Sequence, residues 1–470
     1  MTSPKAFRTA LHLFVSAAVA CSPAAGTSSD SDAAHVGSGS GSSGAEAGAR
    51  GPDGASGNDG GTGTEASTAS DGQGGGVDAA PKCTVKNPMT CSPSQFVFQS
   101  PSTYAAPSQG AGEVAVADLN GDCKDDILLA VPGIDGAQAL AVFLSNGDGT
   151  FAAAVAVPYT NAIDPSTQSP DLAVLADLNG DGFPDLIGYP DLGYSLNQGN
   201  GTFGAVQLIP ASNAIGDGAA LMATGDIDGD GNNDIVLIEG NTLAIFRNTG
   251  GKMPGFSEAD ISISPDAGSV ATSVAGLVIL DLNGDGKADI AVSGTPGDGL
   301  GMPGQVLVLL NNGDGTFAAP LVVASNGGPL AVGDVDGDGK PDLVFTYPTT
   351  GDQNTTDSNV GVLINKGKGA FAAPAVYLVP GNSASYIVAR DVNGDGKADI
   401  LTADYDNSEG SVLMNKGDGT FEAAAGLPGA TLYSPVGLAV GDFLGNGLGG
   451  VAVSTYQGSF QLSTFAGKCL

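Results

Sequence analysis

Short apolar runs rich in Val, Ile and Leu recur from about residue 95 onwards, and polar segments separate them. VAVAD, LAVLAD and LAVGD precede such segments, and DILLAV, DIVLIE and DLVFTY follow them. Runs that are this short, β-rich and bounded by Gly, Pro, Asn and Asp are typical of strands, and they show no helical periodicity. The pattern predicts an all-β protein made of hairpins with polar turns.

The polar segments are copies of one nonapeptide, which we call the acidic loop and number one to seven. The copies begin at Asp118, Asp177, Asp226, Asp281, Asp334, Asp391 and, in degenerate form, Asp442. Successive copies begin between 49 and 59 residues apart. A regular spacing of about 54 residues indicates a repeated supersecondary unit.

A second hairpin follows each acidic loop. The segment Val306 to Val323 (VLVLLNNGDGTFAAPLVV) has the pattern strand, Asn/Gly/Asp turn, strand. Its counterparts are NGDGTF at Asn146, GNGTF at Gly199–Phe203, KGKGAF at Lys366 and KGDGTF at Lys416. Four strands in each of seven units, without helices, predict a seven-bladed β-propeller of four-stranded blades.

Composition narrows the possible functions. The chain has 470 residues, a formal net charge of −34 and 41% hydrophobic residues. The negative charge excludes nucleic acid and anionic membrane surfaces as partners, and the apolar content excludes a wholly disordered chain. The only histidines are His12 and His35, so the repeat region lacks Ser–His–Asp and Cys–His catalysis and His-ligated zinc. We therefore expect a protein that is not an enzyme.

The spacing of oxygen donors within the acidic loops predicts bound Ca²⁺. Positions 1, 3, 5 and 9 carry Asp or Asn, position 7 can offer its backbone carbonyl, and Gly at position 6 permits the sharp turn. An EF-hand is excluded because position 12 carries no Glu and the flanking segments are β-rich. We expect about six calcium sites with a structural role.

The expected ligand positions can be given by loop. In loops one to three they are Asp118, Asn120, Asp122, Lys124 and Asp126; Asp177, Asn179, Asp181, Phe183 and Asp185; and Asp226, Asp228, Asp230, Asn232 and Asp234. In loops four to six they are Asp281, Asn283, Asp285, Lys287 and Asp289; Asp334, Asp336, Asp338, Lys340 and Asp342; and Asp391, Asn393, Asp395, Lys397 and Asp399.

These repeats resemble FG-GAP/VCBS repeats, the units of the integrin-α-type β-propeller, over roughly residues 95–470. The resemblance implies that each calcium loop joins the first and second strands of a blade, and that strands from both chain ends share one blade. Two departures weaken individual sites. Cys123 replaces Gly at position 6 of loop one, and loop seven has Leu444 and Gly450 where ligands belong.

The N-terminus has the pattern of an export signal. Lys5 and Arg8 precede an apolar run from Ala10 to Ala20, too short to span a bilayer. Cys21 follows Ala-Val-Ala, which resembles a bacterial lipobox and predicts lipidation of Cys21; the alternative is a soluble secreted protein. We predict a signal peptide over 1–21, a disordered Gly/Ser/Ala/Asp-rich tether over 22–82 and the propeller over 83–470.

The ends of the repeat region predict how the ring closes. The last unit lacks its fourth strand, and residues 95–104 supply a spare one, with Phe96 at the spacing of the Phe that opens other fourth strands. Four further cysteines, Cys83, Cys91, Cys123 and Cys469, predict two disulfides in an exported protein, with three possible pairings. We favour a bond from Cys469 to Cys83 or Cys91.

The leading functional hypothesis is a monomeric, non-catalytic cell-surface module for adhesion or recognition. Its membrane contact would be the lipid anchor alone, and its ligand an unknown extracellular protein or glycan. Four long inserts are candidate binding loops, namely Asn161–Pro170, Gly250–Gly268, Thr295–Gly304 and Thr349–Ser358.

Two alternatives stay open. A lectin would use aromatic platforms chosen from Tyr104, Tyr159, Tyr189, Tyr194 and Tyr347. A polysaccharide lyase would combine calcium with a Lys, Arg or Tyr base, and Arg247 and Arg390 are the only arginines after the tether.

Overall fold

The computed structural model describes the chain from residue 88 onwards, with gaps between strands. The described residues are 88–105, 112–131, 139–157, 172–189, 192–210, 221–239, 242–262, 273–295, 304–325, 327–348, 358–379, 384–404, 408–428, 432, 434–456 and 460–470. Within these ranges no segment is α-helical, and so none is a helix that could cross a bilayer. The predicted signal peptide and tether, Cys21, Cys83 and Tyr159 lie outside them.

The protein is an all-β seven-bladed propeller of four-stranded antiparallel blades. Strands β1 (Phe96–Phe98) and β2 (Ser102–Ala105) come first in the chain but belong to the last blade. Blades one to three consist of β3 (Val114–Ala117), β4 (Asp126–Val131), β5 (Ala139–Phe143) and β6 (Val155–Val157); β7 (Leu172–Ala176), β8 (Asp185–Tyr189), β9 (Gly193–Ser195) and β10 (Gln207–Leu208); and β11 (Leu221–Gly225), β12 (Asp234–Glu239), β13 (Thr242–Asn248) and β14 (Phe256–Ser262).

The remaining blades continue in chain order. Blades four and five consist of β15 (Ser273–Leu280), β16 (Asp289–Thr295), β17 (Val306–Leu309) and β18 (Leu321–Ala324); and β19 (Leu330–Gly333), β20 (Asp342–Pro348), β21 (Ser358–Leu363) and β24 (Ala375–Tyr377), with a small hairpin of β22 (Asn365–Gly367) and β23 (Ala370–Phe371) before β24. Blade six consists of β25 (Ala384–Arg390), β26 (Asp399–Asp404), β27 (Glu409–Leu413) and β28 (Ala425–Gly426), and blade seven of β29 (Pro435–Gly441), β30 (Gly450–Tyr456), β31 (Phe460–Phe465) and β2, with β32 (Gly467–Cys469) paired to β1.

The apolar runs form strands because both faces of each blade are covered by its neighbours. Phe246 of blade three packs with Ile187 and Tyr194 of blade two, and Leu413 of blade six packs with Val344 of blade five. Continuous burial on both faces favours runs of Val, Ile and Leu over strict alternation of apolar and polar residues. The core therefore lies in layers between adjacent blades.

The N-terminal strand closes the ring, as the sequence predicts. β2 pairs with β31, with Tyr104 opposite Leu462, and β1 pairs with β32, with Phe96 opposite Cys469. One detail of the prediction is wrong. Phe98, not Phe96, occupies the position of the Phe that follows the second turn in the other units. Phe98 pairs with Gly467 in the same way as Phe151 pairs with Ser145 in blade one. In both blades the backbone N–H of the residue after this Phe donates to the carbonyl at the equivalent position of the opposite strand.

A disulfide joins Cys91 to Cys469, with their Cα atoms 5.7 Å apart and a sequence separation of 378. This is one of the two favoured pairings. Cys123 is also disulfide-bonded, so all three described cysteines are oxidised. The Cys91–Cys469 bond lies beside β1 and β32, at the point where other blades have a continuous turn between their third and fourth strands.

The predicted binding inserts lie largely outside the described residues, with one exception. Asn161–Pro170 lies outside entirely, and of the inserts Thr295–Gly304 and Thr349–Ser358 only Thr295, Gly304 and Ser358 are described. Within Gly250–Gly268, residues Phe256–Ser262 are not a loop but strand β14, paired along its length with β13. The interpretation of this segment as an insert is wrong because its apolar positions, including Phe256, pack in the blade.

Candidate metal centres in the acidic loops

Each acidic loop turns from the first strand of a blade into the second. Gly225 pairs with Asp234 at the base of loop three, and Gly333 pairs with Asp342 at the base of loop five. Positions 1 to 8 therefore form the turn, and position 9 is the first residue of the second strand. All seven loops lie at the same end of the blades, because each blade has the same strand order.

The Asp at position 1 shapes the turn by accepting backbone N–H groups. In loop three, Asp226 Oδ1 accepts from Gly229 at 2.7 Å and Asp230 at 3.1 Å, and Oδ2 accepts from Gly231 at 2.9 Å. Gly229 and Gly231 have φ values of 80° and 89°, in the left-handed region that favours Gly. The pattern Asp-x-x-Gly-x-Gly thus encodes a turn whose N–H groups point inward.

Two loops bring three carboxylates together. Oxygens of Asp226, Asp228 and Asp230 lie within 4.8 Å of one another, as do those of Asp334, Asp336 and Asp338. Oxygen donors this close repel one another unless a cation lies between them, and Asp carboxylates are the ligands that Ca²⁺ prefers. The donor set at positions 1, 3 and 5 therefore fits a hard divalent cation. In loops one, two, four and six, Asn replaces Asp at position 3.

The Asp at position 9 is fully buried and bound by two backbone N–H groups. Asp234 Oδ2 accepts from Ile227 at 2.8 Å and Oδ1 accepts from Asn248 at 2.7 Å. The same pair of bonds recurs at Asp126, Asp185, Asp289, Asp342 and Asp399. Each carboxylate thus joins the acidic loop to the end of the third strand, in addition to any ligand role.

Burial raises the pKa of these position 9 carboxyls. The pKa rises to about 7 for Asp126, Asp185 and Asp399 and to about 6 for Asp234 and Asp342, and desolvation is the largest cause. The two backbone hydrogen bonds lower each pKa but do not offset burial, and the other loop carboxylates raise it further. Without a cation, these carboxyls therefore take up protons as the pH falls through about 7 to 6, well above the range of an exposed Asp.

Position 7 carries Lys in four loops. Lys124 Nζ lies 2.7 Å from Asp122 Oδ2, Lys287 Nζ lies 3.8 Å from Asp285 Oδ2, and Lys340 pairs with Asp338. Each of these contacts joins position 7 to the carboxylate at position 5. Phe183 and Asn232 occupy position 7 in loops two and three, and the Phe183 ring lies against Gly121 and Gly199.

A row of five Asn residues, which the sequence pattern did not predict, links loops one to five to the neighbouring blade. Asn311 Nδ2 donates to Ile227 O of loop three at 2.6 Å and to Ala288 O of loop four at 2.9 Å. Equivalent bonds are made by Asn197, Asn248, Asn365 and Asn415, and Ser145 donates to Phe443 O of loop seven. The available signal was an Asn at the start of the second turn in five of the seven units.

Loops one and seven differ from the others. Cys123 adopts a φ of 64°, which in the other loops belongs to Gly, and its N–H still donates to Asp118 Oδ2 at 2.9 Å. In loop seven, Asp442 accepts from Leu444, Asn446 and Gly447, so the turn is kept. Gly450 supplies no carboxylate at position 9, which fits the prediction that loop seven is degenerate.

Residues 88–91, which we call the N-terminal strap, cover loops six and seven. Met89 N–H donates to Asn446 O and Cys91 N–H donates to Asn393 O, both at 2.8 Å, and Thr90 Oγ1 donates to Gly394 O at 2.9 Å. Asn393 is fully buried beneath the strap. Desolvation raises the pKa of Asp391 in the same loop.

The residues proposed for sugar stacking and for base catalysis have structural partners. Tyr189 and Tyr194 are 6% and 4% exposed, so their interpretation as sugar platforms is wrong, whereas Tyr104 and Tyr347 are half-buried. Arg247 donates to Gly315 O of the next blade at 2.9 Å. The charge of Arg390 lowers the pKa of the Asp125 carboxyl, although burial of that carboxyl has the larger, opposite effect.

Comparisons with known proteins agree with this geometry. The family model of the FG-GAP-like repeat matches residues 118–188, 226–292, 281–345, 334–402 and 391–453. A lectin of Agrocybe aegerita, described by its recognition of non-reducing terminal N-acetylglucosamine, is 20% identical with a TM-score of 0.52, covering 79% of this chain and 99% of the lectin. The Tc holotoxin pore of Photorhabdus luminescens is 19% identical with a TM-score of 0.41, covering 80% of this chain and 15% of that one.

No curated protein sequence matches the chain. The matched repeats span more than half of the sequence, and each begins at the first Asp of an acidic loop. The repeat, the four-stranded blade and the turn that presents its carboxylates together place the chain in the FG-GAP-like repeat family.

Proposed function

We propose that the protein is a calcium-stabilised propeller that acts as a non-catalytic binding module outside the cell. The observation that carries the proposal is the convergence of three carboxylates in loop three and again in loop five. Both triplets sit on hairpins fixed by position 9 and by the Asn links between blades. A rigid ring with such turns suits recognition by surface loops.

Calcium would be held by positions 1, 3, 5 and 9 and by the carbonyl of position 7 in loops one to six. The bound ion supplies positive charge that turns carboxylate repulsion into a cross-link within each hairpin. In loops three and five the chain contributes four carboxylates, counting Asp234 and Asp342. The Asp at position 1 fixes the turn before calcium binds, because it accepts hydrogen bonds from the backbone N–H groups of the loop.

Differential scanning calorimetry with and without a chelator tests the structural role of calcium. We expect EDTA to lower the Tm by more than 10 °C and added Ca²⁺ to restore it, because six sites bind only the folded chain. The variant Asp228→Asn/Asp230→Asn should lose part of this calcium response. The control Asp314→Asn should keep this response. It removes an exposed charge from the turn between the third and fourth strands of blade four, which we call the outer turn of a blade. An unchanged melt in EDTA would refute the proposal.

The export proposal is supported by the Cys91–Cys469 bond, because disulfides persist in oxidising compartments. Cys21 would carry the lipid, and the tether would separate the propeller from the membrane. Growth with radiolabelled palmitate should label the wild-type protein and not Cys21→Ala. If Cys21→Ala is exported but released into the medium, the anchor is Cys21; equal membrane retention of both would contradict lipidation.

The distribution of positive charge limits the class of ligand. Every Lys and Arg of the described residues lies in an acidic loop, in a turn between third and fourth strands, or at a strand end beside them. By sequence, the connections at the opposite ends of the blades contain no Lys, Arg or His. These connections favour a neutral or cationic ligand over an anionic one.

The lectin alternative is favoured by one observation, the fold shared with the Agrocybe aegerita lectin over 99% of that chain. At 20% identity this similarity concerns the fold, so sugar binding is a second candidate. A glycan array that includes terminal N-acetylglucosamine, together with pull-down from intact cells, each with and without Ca²⁺, separates the two. Array binding supports the lectin, whereas capture of a protein with a blank array supports adhesion.

A further inference from the structure

Loops three and five form a matched pair within one chain. Each carries Asp at positions 1, 3, 5 and 9, and in each the first three carboxylates converge within 4.8 Å. They differ at position 7, where loop three has Asn232 and loop five has Lys340. Positions 2 and 8 also differ, with Ile227 and Asn233 in loop three and Val335 and Pro341 in loop five, but position 7 is the only one at which the two loops differ in charge.

Lys340 occupies the carboxylate that a cation would need. Its ammonium forms an ion pair with Asp338 Oδ2 at position 5, and the hydrogen bond lowers the pKa of Asp338. The corresponding Asn232 makes no ion pair with Asp230, whose Oδ1 accepts the Asn232 backbone N–H at 2.8 Å. An ammonium and a divalent cation compete for the same oxygen lone pairs.

We propose that the Lys at position 7 is a built-in competitor for the cation, which makes loop three the tightest site and loop five a weaker one. The inference rests on the proposed function, in which the acidic loops bind calcium. Ligand charge tunes the affinity of oxygen-ligand calcium sites. Loop three has four carboxylates and no cationic side chain, whereas the ammonium of Lys340 offsets one charge of loop five.

Lys287 shows where a displaced ammonium can go. In loop four its Nζ lies 3.8 Å from Asp285 Oδ2 but only 2.9 Å from the carbonyl oxygen of Asn312 in the outer turn of the same blade. In blade five the side chain of Lys340 also lies near the turn between the third and fourth strands, beside Gly367, although it is farther from that turn than Lys287 is from Gly313. In loop four the ammonium therefore has a carbonyl acceptor besides the carboxylate, and we infer that the ammonium of Lys340 can move to the same turn of blade five when a cation binds.

The same argument orders the other loops. Loops four and six have Asn at position 3 and Lys at position 7, so they combine three carboxylates with one ammonium and should be the weakest of the intact sites. Loop two has three carboxylates and Phe183 at position 7, which places it between these and loop three. Calcium should fill the ring in steps rather than all at once.

Calcium titration of the metal-free, full-length protein by calorimetry, with ions counted by native mass spectrometry, tests the proposal. Asn232→Lys should weaken the tightest site by about threefold to tenfold, and Lys340→Asn should strengthen loop five by a similar factor. Asp228→Asn/Asp230→Asn identifies loop three as the tightest site by removing it. Lys366→Asn is the control, because it deletes an exposed charge from the same blade outside the loop.

The outcomes separate this inference from the proposed function. Changes in Kd for Lys340→Asn and Asn232→Lys, with less than a twofold change for Lys366→Asn, support the competitor. Calcium binding that is unaffected by Lys340→Asn, or strengthened equally by Lys366→Asn, overturns it and leaves calcium binding intact. Wild-type protein that binds no calcium at all overturns the proposed function and with it the inference.

Discussion

The side-chain amide of Asn311 donates to the carbonyl oxygen of Ile227 at 2.6 Å, across 84 residues of chain. Its own backbone N–H donates to Asp289 Oδ1 at 2.7 Å. One residue thus ties the third strand of blade four to its own acidic loop and to that of blade three. The repetition of this link around the ring makes the loops part of the interface between blades rather than free turns.

Asn311→Ala should lower the free energy of unfolding by about 2–4 kcal/mol, because it leaves the buried carbonyls of Ile227 and Ala288 without the amide donor. Urea denaturation measures the change. The neighbouring Asn312→Ala is the control, since Asn312 is exposed and bonds only Thr316 Oγ1 through its side-chain amide, and it should cost less than about 0.5 kcal/mol. Equal effects of the two variants would count against the link.

Removal of the Cys91–Cys469 bond should destabilise the ring by about 2–5 kcal/mol, because the bond closes a loop of 378 residues. The double variant Cys91→Ala/Cys469→Ala avoids an unpaired thiol. Hydrogen exchange should become faster in β1 and β2 before it does in blades two to five. Non-reducing peptide mapping of the wild type should find this pair and should find Cys123 in a disulfide as well; free thiols at Cys91, Cys123 and Cys469 would contradict the structure.

The metal-free protein should become less stable as pH rises towards neutrality. Five of the six position 9 carboxyls have folded pKa values of about 6 to 7, above the value of about 4 expected in the unfolded chain, and burial also raises the pKa of the sixth, Asp289. The folded state therefore binds more protons, and the stability contributed by these groups is present below pH 4 and lost as pH rises through 7. In EDTA, the Tm should fall between pH 5 and pH 8.

Calcium should flatten that profile above pH 6, because the cation replaces the proton as the partner of the carboxylate. Asp185→Asn, which carries no titratable charge at position 9 of loop two, should show a smaller fall in Tm in EDTA than the wild type. A chelated protein that is more stable at pH 8 than at pH 5 would show that other groups dominate the pH dependence.

Arg247→Leu should leave stability unchanged or raise it by up to about 1 kcal/mol. Arg247 occupies the place that Leu196 and Leu310 hold in neighbouring blades, and its Nε is buried without a hydrogen-bond partner. Leu removes that unsatisfied donor and restores apolar packing against Gly315. Arg247→Ala, which leaves a gap, should instead lower the free energy of unfolding by about 1–2 kcal/mol. Thermal denaturation of both variants checks the contrast.

The architecture could be predicted from the sequence because one physical requirement recurs in every unit. A turn that directs N–H groups at Asp226 favours Gly at 229 and 231, and this requirement places Gly at the same two positions of every acidic loop except position 6 of loop one, where Cys123 stands. The number of strands in each blade could be predicted from the second turn of each unit. The closure of the ring could be predicted from the additional strand before the first unit. The error of two residues at Phe96 arose because both Phe96 and Phe98 lie in that strand and spacing alone cannot separate them.

The contacts between blades could not be predicted in the same way. Asn197 and Leu119 are 78 residues apart, and no local pattern states which carbonyl an Asn at a strand end will reach. The two roles of Asp234, as a residue of the metal loop and as an acceptor from the backbone at the end of the third strand, also depend on how the strands pair in the blade. Tyr194 shows the converse: an aromatic suited to sugar stacking is buried against the next blade, with its hydroxyl donating to Pro254 O.

The pairing of β1 with β32 sets the order in which the molecule can be completed. Blades one to six each use strands that are contiguous in the chain, so they can form one after another as the polypeptide emerges. Blade seven needs Phe96–Phe98 and Gly467–Cys469 together, and the latter come after the strands of the other six blades in the chain. The N-terminal strands must therefore stay unpaired until the strands of blades one to six and the third strand of blade seven have been made. Loss of Gly467–Cys469 would remove the partner of β1 and leave β2 paired with β31 as the remaining closure of the ring.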